Sequence, residues 1–361
     1  MKLKAYCKLL PAVALSLASF GALATDAPTD TSSSAGTMLM DQRIIGTTPG
    51  ISPEFAAYQQ SLPRPVELPV PQTTEEWLEM QAILDAPGIK MGKEVLKKMD
   101  IKWEKKQFAG VDVFFLEPKE VAPEYKDKWL IHLHGGAFVL GGNEVATREA
   151  AWLANGIGAK VISVDYRRPP LHPFPAALED ALAVYKELIK TQAPEETAIF
   201  GGSAGGNLTL ATAHALRQQD LPVPGALFAG TPAVNLAEAY ETWYTLKGLD
   251  QLGQRDGFIT EAFNIYANGE DLKNPLISPI FGDFDASFPP TILISGTRDM
   301  LLSDTVQVHR KLRASGVDAD LHVYDGQAHH QFIASIVWPF PEAEDALSEI
   351  SNFFDKHINN N

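Results

Sequence analysis

The sequence predicts an α/β fold, a mostly parallel twisted sheet with helices on both faces. Three observations predict it. From Ile101 onward, short apolar runs alternate with longer helical stretches, the pattern of strand–helix–strand units. One run, Ala198-Ile199-Phe200, ends in Gly201-Gly202-Ser203-Ala204-Gly205-Gly206 and passes at once into the alanine- and leucine-rich Leu208 to Leu216, so a strand turns sharply into a helix. Another, Trp129 to His134, ends in a glycine-rich loop.

In chain order, residues 1–24 read as a signal peptide. Lys2, Lys4 and Lys8 give a basic start, Leu9 to Leu23 is apolar, and Ala22-Leu23-Ala24 has the small-x-small form of a cleavage site. The apolar run is shorter than the roughly 20 residues that span a bilayer, which argues against a membrane anchor. Export, to the periplasm or outside the cell, is therefore expected. Residues 25–50, rich in Thr, Ser, Ala, Asp and Gly, read as a flexible segment. Residues 51–100 read as a helical arm broken by prolines. A first candidate helix, from Pro53, is separated by Ser61-Leu62-Pro63-Arg64-Pro65 and Leu68-Pro69-Val70-Pro71 from a second, which runs from Thr73-Thr74-Glu75-Glu76 through Trp77, Leu78, Met80 and Ile83. A short third one is expected from Gly92 to Met99. This arm shows no catalytic pattern.

Residues 101–361 form the main domain. Ile101 to Phe108 and Val111 to Leu116 read as a hairpin around Ala109-Gly110. Strands follow at Trp129 to His134, Lys160 to Asp165, Thr197 to Phe200, Ala226 to Gly230, Thr291 to Ser295 and Leu321 to Tyr324. Helices are expected at Glu144 to Ala154, Ala176 to Lys190, Ser303 to Ser315 and Glu342 to Lys356. Residues about 235–276 are aromatic and polar and too long for an ordinary connection, so they read as a lid over the sheet edge that binds ligands.

The net charge of −15 argues against nucleic acid and anionic membrane surfaces as partners. The single cysteine, Cys7, lies in the leader, so the mature chain would have neither disulfides nor thiolate chemistry. No cofactor is called for. The adjacent His329 and His330 make a poor metal site, because no His-x-Glu or Glu-x-x-His cluster accompanies them.

The chemistry-bearing residues fall at strand ends. Ser203 sits at the apex of the strand–helix turn, as an exposed nucleophile would. After the strand Trp129 to His134, His134-Gly135-Gly136-Ala137-Phe138 offers backbone N–H groups that could hold an oxyanion. His134 is expected to organise that loop, and His132 to be a buried structural histidine. Asp299 ends the run Ile292-Leu293-Ile294-Ser295-Gly296 and is the expected acid. Asp304 is its rival, although Ser303 and Asp304 also explain a helix start. His329 follows the turn Asp325-Gly326 and is the expected base, with His330 the alternative. The order Ser, Asp, His is that of α/β-hydrolases.

On these residues the sequence resembles the hormone-sensitive-lipase-like family of α/β-hydrolases. Three stretches carry the likeness: His134 to Phe138, Asp165-Tyr166-Arg167-Arg168-Pro169-Pro170-Leu171-His172-Pro173-Phe174-Pro175-Ala176-Ala177, and Gly201 to Gly206. The resemblance implies the α/β-hydrolase fold with a helical cap built from the arm at 51–100 and the insertion at about 235–276. It also implies carboxylesterase activity on short acyl chains, so the partner would be a small-molecule ester. Ser203 takes the place of the nucleophile, Asp299 of the acid and His329 of the base. The oxyanion donors fall on Gly135, Gly136, Ala137 and Ala204. Ala137 stands where the family usually has a third glycine, and Gly202 where it usually has Asp or Glu. Lactonase-like members resemble the second variant, which makes a lactone the alternative substrate. A non-catalytic binding protein and a serine peptidase on the same fold are the remaining readings.

Overall fold

The computed structural model describes residues 45–359. The signal peptide and residues 25–44 lie outside the described residues. In what is described, one sheet runs through the molecule in the order β1-β2-β4-β3-β5-β6-β7-β8. Its strands are β1 (Lys102–Phe108), β2 (Val111–Glu117), β3 (Trp129–Leu133), β4 (Lys160–Val164), β5 (Ala198–Gly202), β6 (Ala226–Gly230), β7 (Thr291–Gly296) and β8 (Ala319–Tyr324). The hairpin pairs antiparallel within itself, and β2 pairs antiparallel with β4. From β4 to β8 every pairing is parallel. The mostly parallel sheet is thus as the alternating pattern predicts.

Side chains on a strand alternate between faces, and two apolar cores follow from that. Ile131, Leu133, Ile199 and Leu293 pack on one face with Leu182 of α4 (Ala176–Leu188), Leu208 of α5 (Ala204–Gln218) and Val308 of α8 (Leu302–Ala314). Leu130, Phe200, Ile292 and Ile294 pack on the other with Leu153 of α3 (Thr147–Ile157) and Ile350 of α9 (Pro341–Phe354). The edge strand β1 is almost wholly exposed and carries Lys102, Lys105 and Lys106, charges that discourage pairing with another chain.

The arm departs from expectation. The first expected helix is present as α1 (Pro53–Ser61), but the second and third are one continuous helix, α2 (Thr74–Lys98), which runs through Pro87. The start is as expected, with Thr73 Oγ1 accepting from the Glu76 N–H at 3.2 Å. A proline inside a helix costs about 3 kcal/mol. Trp77 and Met80 before it, and Val95 and Leu96 after it, are all buried. Each is worth about 1.5–3 kcal/mol, so continuing the helix wins.

The insertion contributes α6 (Glu241–Thr245) and α7 (Phe258–Ala267). Trp77 of α2 packs against Phe258 of α7 with ring centroids 5.6 Å apart, so arm and insertion meet. Below them lies a cavity of about 830 Å³.

Candidate active site

Ser203 sits between β5 and α5 with φ 58° and ψ −120°, a strained conformation that a side chain rarely adopts. Its N–H donates to Gly230 O on β6 at 2.8 Å. The turn needs its flanking glycines. A Cβ on Gly201 or Gly205 would lie 2.0 or 1.9 Å from Leu133 O, so neither position admits any side chain beside β3.

The loop after β3 lies against this turn. Gly135, Gly136, Ala137, Ser203, Ala204 and His329 all line the one cavity. Gly136, Ala137 and Phe138 have positive φ. At φ 50° the alanine occupies a left-handed position, which costs roughly 1–2 kcal/mol for a residue with a Cβ. That is a physical reason for glycine at this place in similar sequences. The Leu140 N–H closes the turn on Gly136 O at 2.8 Å.

His134 acts on this loop as expected. Its Nδ1 lies 2.8 Å from Gly135 O, and its ring stacks on Tyr166 at 3.9 Å. The Tyr166 hydroxyl donates to His134 O at 2.7 Å. Burial, with the nearby Arg168 charge, pushes the His134 pKa down to about 3, so the ring is neutral and its Nδ1–H donates.

Support also comes from α2, which the sequence left as a featureless arm. Asp85 Oδ1 accepts from the Gly141 N–H at 2.9 Å, and its Oδ2 pairs with Arg168 Nη1 at 3.0 Å. Gln81 Nε2 donates to Val139 O at 2.7 Å. The signal was present: Trp77, Gln81, Asp85, Gly88 and Gly92 follow helical spacing, so two polar residues sit on the inward stripe.

The expected acid and base, Asp299 and His329, follow the ends of β7 and β8. Asp299 is fully buried. Its Oδ1 lies 3.1 Å from His329 Nδ1, and its Oδ2 accepts from Ser295 Oγ at 2.6 Å. Burial alone would lower the His329 pKa. The Asp299 hydrogen bond and the charges of Asp299 and Asp250 outweigh it and hold the group above the ordinary histidine value.

The two rivals go elsewhere. Asp304 does not cap a helix: it lies inside α8, fully buried, and accepts from Trp243 Nε1 at 3.0 Å and the Asn235 N–H at 3.2 Å. It pins the insertion to α8. His330 Nε2 lies 3.1 Å from Glu149 Oε1, although not aligned as a hydrogen bond. Glu149, on α3, also accepts from the Gly202 N–H at 3.1 Å and lies 3.0 Å from His132 Nε2. Burial raises the Glu149 pKa, but His330 and His132 together hold it below the usual carboxylate range. His132 is fully buried, as expected.

This cluster accounts for Gly202. A Cβ there would lie 2.2 Å from His330 Nε2, so the ring occupies the space that a side chain at this position would need. A carboxylate is still present behind the turn, but it comes from α3. Glu149 has a sequence signal too, as the acid that immediately precedes the apolar helix segment Ala150-Ala151-Trp152-Leu153-Ala154.

A strained serine turn, a loop of inward backbone and a carboxylate-bonded histidine, all at the carboxyl edge of a parallel sheet, define a hydrolase fold of the nucleophile-elbow class. Comparison with known proteins agrees. A family model described as the alpha/beta hydrolase fold matches residues 130–333, and the chain belongs to that family. An esterase of Acinetobacter venetianus is 31% identical over 225 residues, 62% of this chain and 73% of that one. The solved structure of an esterase, E25, superposes with a TM-score of 0.86 at 40% identity, covering 89% of this chain and 99% of the other. An esterase from the bacterial hormone-sensitive lipase family gives a TM-score of 0.69 at 27% identity, covering 85% of this chain and 99% of its own.

Proposed function

We propose that the protein is a serine carboxylesterase that hydrolyses short-chain acyl esters through an acyl-enzyme. One observation carries the reading: Asp299 is hydrogen-bonded to His329 Nδ1, and that imidazole lines the same cavity as Ser203 and the Gly135–Ala137 backbone. His329 takes the Ser203 proton as the oxygen attacks the ester carbonyl. Asp299 fixes the tautomer and stabilises the imidazolium. The N–H groups of Gly135, Gly136, Ala137 and Ala204 are the candidate donors to the oxyanion, each typically worth about 100- to 1,000-fold in rate. His329 then protonates the leaving alcohol, and water repeats the sequence to release the acid. The cavity walls, with Leu68, Leu84, Met91, Trp243, Leu252 and Phe258, suit an apolar acyl or alcohol group.

Gly202 was the residue that suggested a lactone. It is backed by His330 and Glu149 and does not line the cavity, so the ester reading is preferred. The test is Ser203→Ala. We expect turnover of p-nitrophenyl acetate to fall by at least about 10³-fold and fluorophosphonate labelling to disappear. A folded variant that keeps its turnover would refute the assignment. A series of acyl lengths with lactones alongside then ranks the substrates.

The chain is further proposed to be exported after cleavage behind Ala24. The mass of the exported protein should correspond to a start at Thr25. An exported protein that retains Met1 to Ala24 would overturn this.

A further inference from the structure

Asp250 lies in the insertion, in the turn that follows α6. It is fully buried, yet unlike its neighbours Gln251 and Leu252 it does not line the cavity. Its place is at the junction of the two loops that carry the acid and the base. Oδ2 accepts from the Met300 N–H at 2.8 Å and from the His329 N–H at 3.1 Å. Met300 follows Asp299 in the chain, so one oxygen joins the residue after the acid to the backbone of the base. Oδ1 accepts from the Leu252 N–H at 2.9 Å, and the Gly253 N–H closes the turn on Asp250 O at 3.0 Å. The carboxylate is thus presented from a closed turn and holds backbone on three segments.

A buried carboxylate with no cation bonded to it is unfavourable unless its hydrogen bonds and surroundings compensate. Here the compensation comes from the triad itself. We propose that Asp250 is a positioning residue for the Asp299–His329 pair: it ties the acid loop to the base loop from the cap side, and its charge stabilises the imidazolium that forms during turnover. This rests on the reading of Ser203, His329 and Asp299 as the triad.

Three carboxyl groups face His329, from three elements: Asp299 after β7, Asp304 on α8 and Asp250 in the insertion. The adjacent His330 ring lies 6.2 Å away, with its Nε2 3.1 Å from Glu149 Oε1. Burial pushes Asp304 up to about 8, which leaves it uncharged at neutral pH. Burial pushes Asp250 up to about 6, with the His329 charge acting the other way, so above that pH the carboxylate is ionised. Removing that charge lowers the His329 pKa. The base then stays neutral to lower pH, and the acid limb of kcat/KM moves down. A residue that merely braced the cap would not move that limb.

The experiment compares wild type, Asp250→Asn and Asp250→Ala on p-nitrophenyl butyrate, recording kcat, KM and the pH profile of kcat/KM. Asp250→Asn keeps the shape and one acceptor but loses the charge. We expect its kcat to fall about tenfold or more with KM within about threefold of wild type. Its acid limb should move down by at least about half a pH unit. Asp250→Ala should lower kcat further. If Asp250→Ala does not fold, the pH profile of Asp250→Asn decides. An unmoved acid limb in Asp250→Asn overturns the proposal, whether the variant is fully active, less stable or altered only in KM. Ser203→Ala, run in parallel, separates the two claims. Retained turnover there breaks the triad reading, whereas an inert Ser203→Ala beside an unmoved Asp250→Asn limb refutes only the role of Asp250.

Discussion

At the residue scale, Gly202 and His330 have to be read as one choice. The ring of His330 fills the side of Gly202, and its Nε2 is 3.1 Å from the buried carboxylate of Glu149. On its other side the ring meets Phe332, with centroids 4.9 Å apart. The ring therefore has little room to retreat from a new methyl group. Gly202→Ala should destabilise the fold by about 1–3 kcal/mol, as overpacking usually does. His330→Ala should also destabilise, because Glu149 would lose one of the groups that hold its charge. In the double variant the clash is gone, so the losses should fall short of their sum by about 1 kcal/mol or more. Denaturant unfolding of the four proteins measures this. Strict additivity would mean that the ring moves aside freely, and Gly202 would then need another explanation.

At the element scale, legibility followed the range of the forces involved. All eight strands were readable because each is a short apolar run or a hairpin arm whose burial is imposed by the sheet. That Ser203, Asp299 and His329 gather at one edge was readable because a parallel sheet brings the carboxyl ends of β5, β7 and β8 together. The continuity of α2 was not. Local chemistry says that Pro87 stops a helix, and only burial against a distant part of the chain overrules it. Close approach shows how distant: a Cβ on Gly92 would lie 2.0 Å from Glu144 O. The supporting carboxylates were hidden for the same reason. Asp250 bonds the backbone of Met300 and His329, 50 and 79 positions away, and Asp85 bonds that of Gly141, 56 away. The misreading of Asp304 shows the limit of a local rule. A Ser-Asp pair before a helical pattern does suggest a cap, but here the helix has already begun at Leu302 and the carboxylate turns inward to Trp243.

At the scale of the whole molecule, the beginning of the described chain is tied to the end of the catalytic machinery. Arg298 Nη2 donates to Gly46 O at 2.6 Å, one residue before Asp299. The Thr48 hydroxyl donates to Asp325, whose other oxygen accepts from Thr297 Oγ1 at 3.0 Å. The Gln59 amide donates to Gly326 O, three residues before His329. Ser52 Oγ donates to Glu342 Oε2 at 2.8 Å, and the buried Phe55 packs on Phe340 at 4.9 Å. The stretch from Gly46 through α1 thus holds the loops of Asp299 and His329 from outside, while Asp250 bonds them from the insertion. Removing residues before Ile51 deletes the Gly46 and Thr48 contacts but keeps α1. Removing residues before Pro63 also deletes Phe55, and loss of a buried Phe side chain costs about 3–5 kcal/mol. Compared with a protein starting at Thr25, the first truncation should lower kcat by a few-fold, about 1 kcal/mol in barrier, with little change in melting temperature. The second should lower kcat further and reduce the melting temperature by roughly 6–20 °C, at about 2–4 °C per kcal/mol. Phe55→Ala, which leaves the chain intact, should reproduce the stability loss and leave kcat near the wild-type value at a temperature where the protein is folded. Unchanged kcat in both truncations would show that the loops hold their geometry without the arm, and that its contacts serve stability alone.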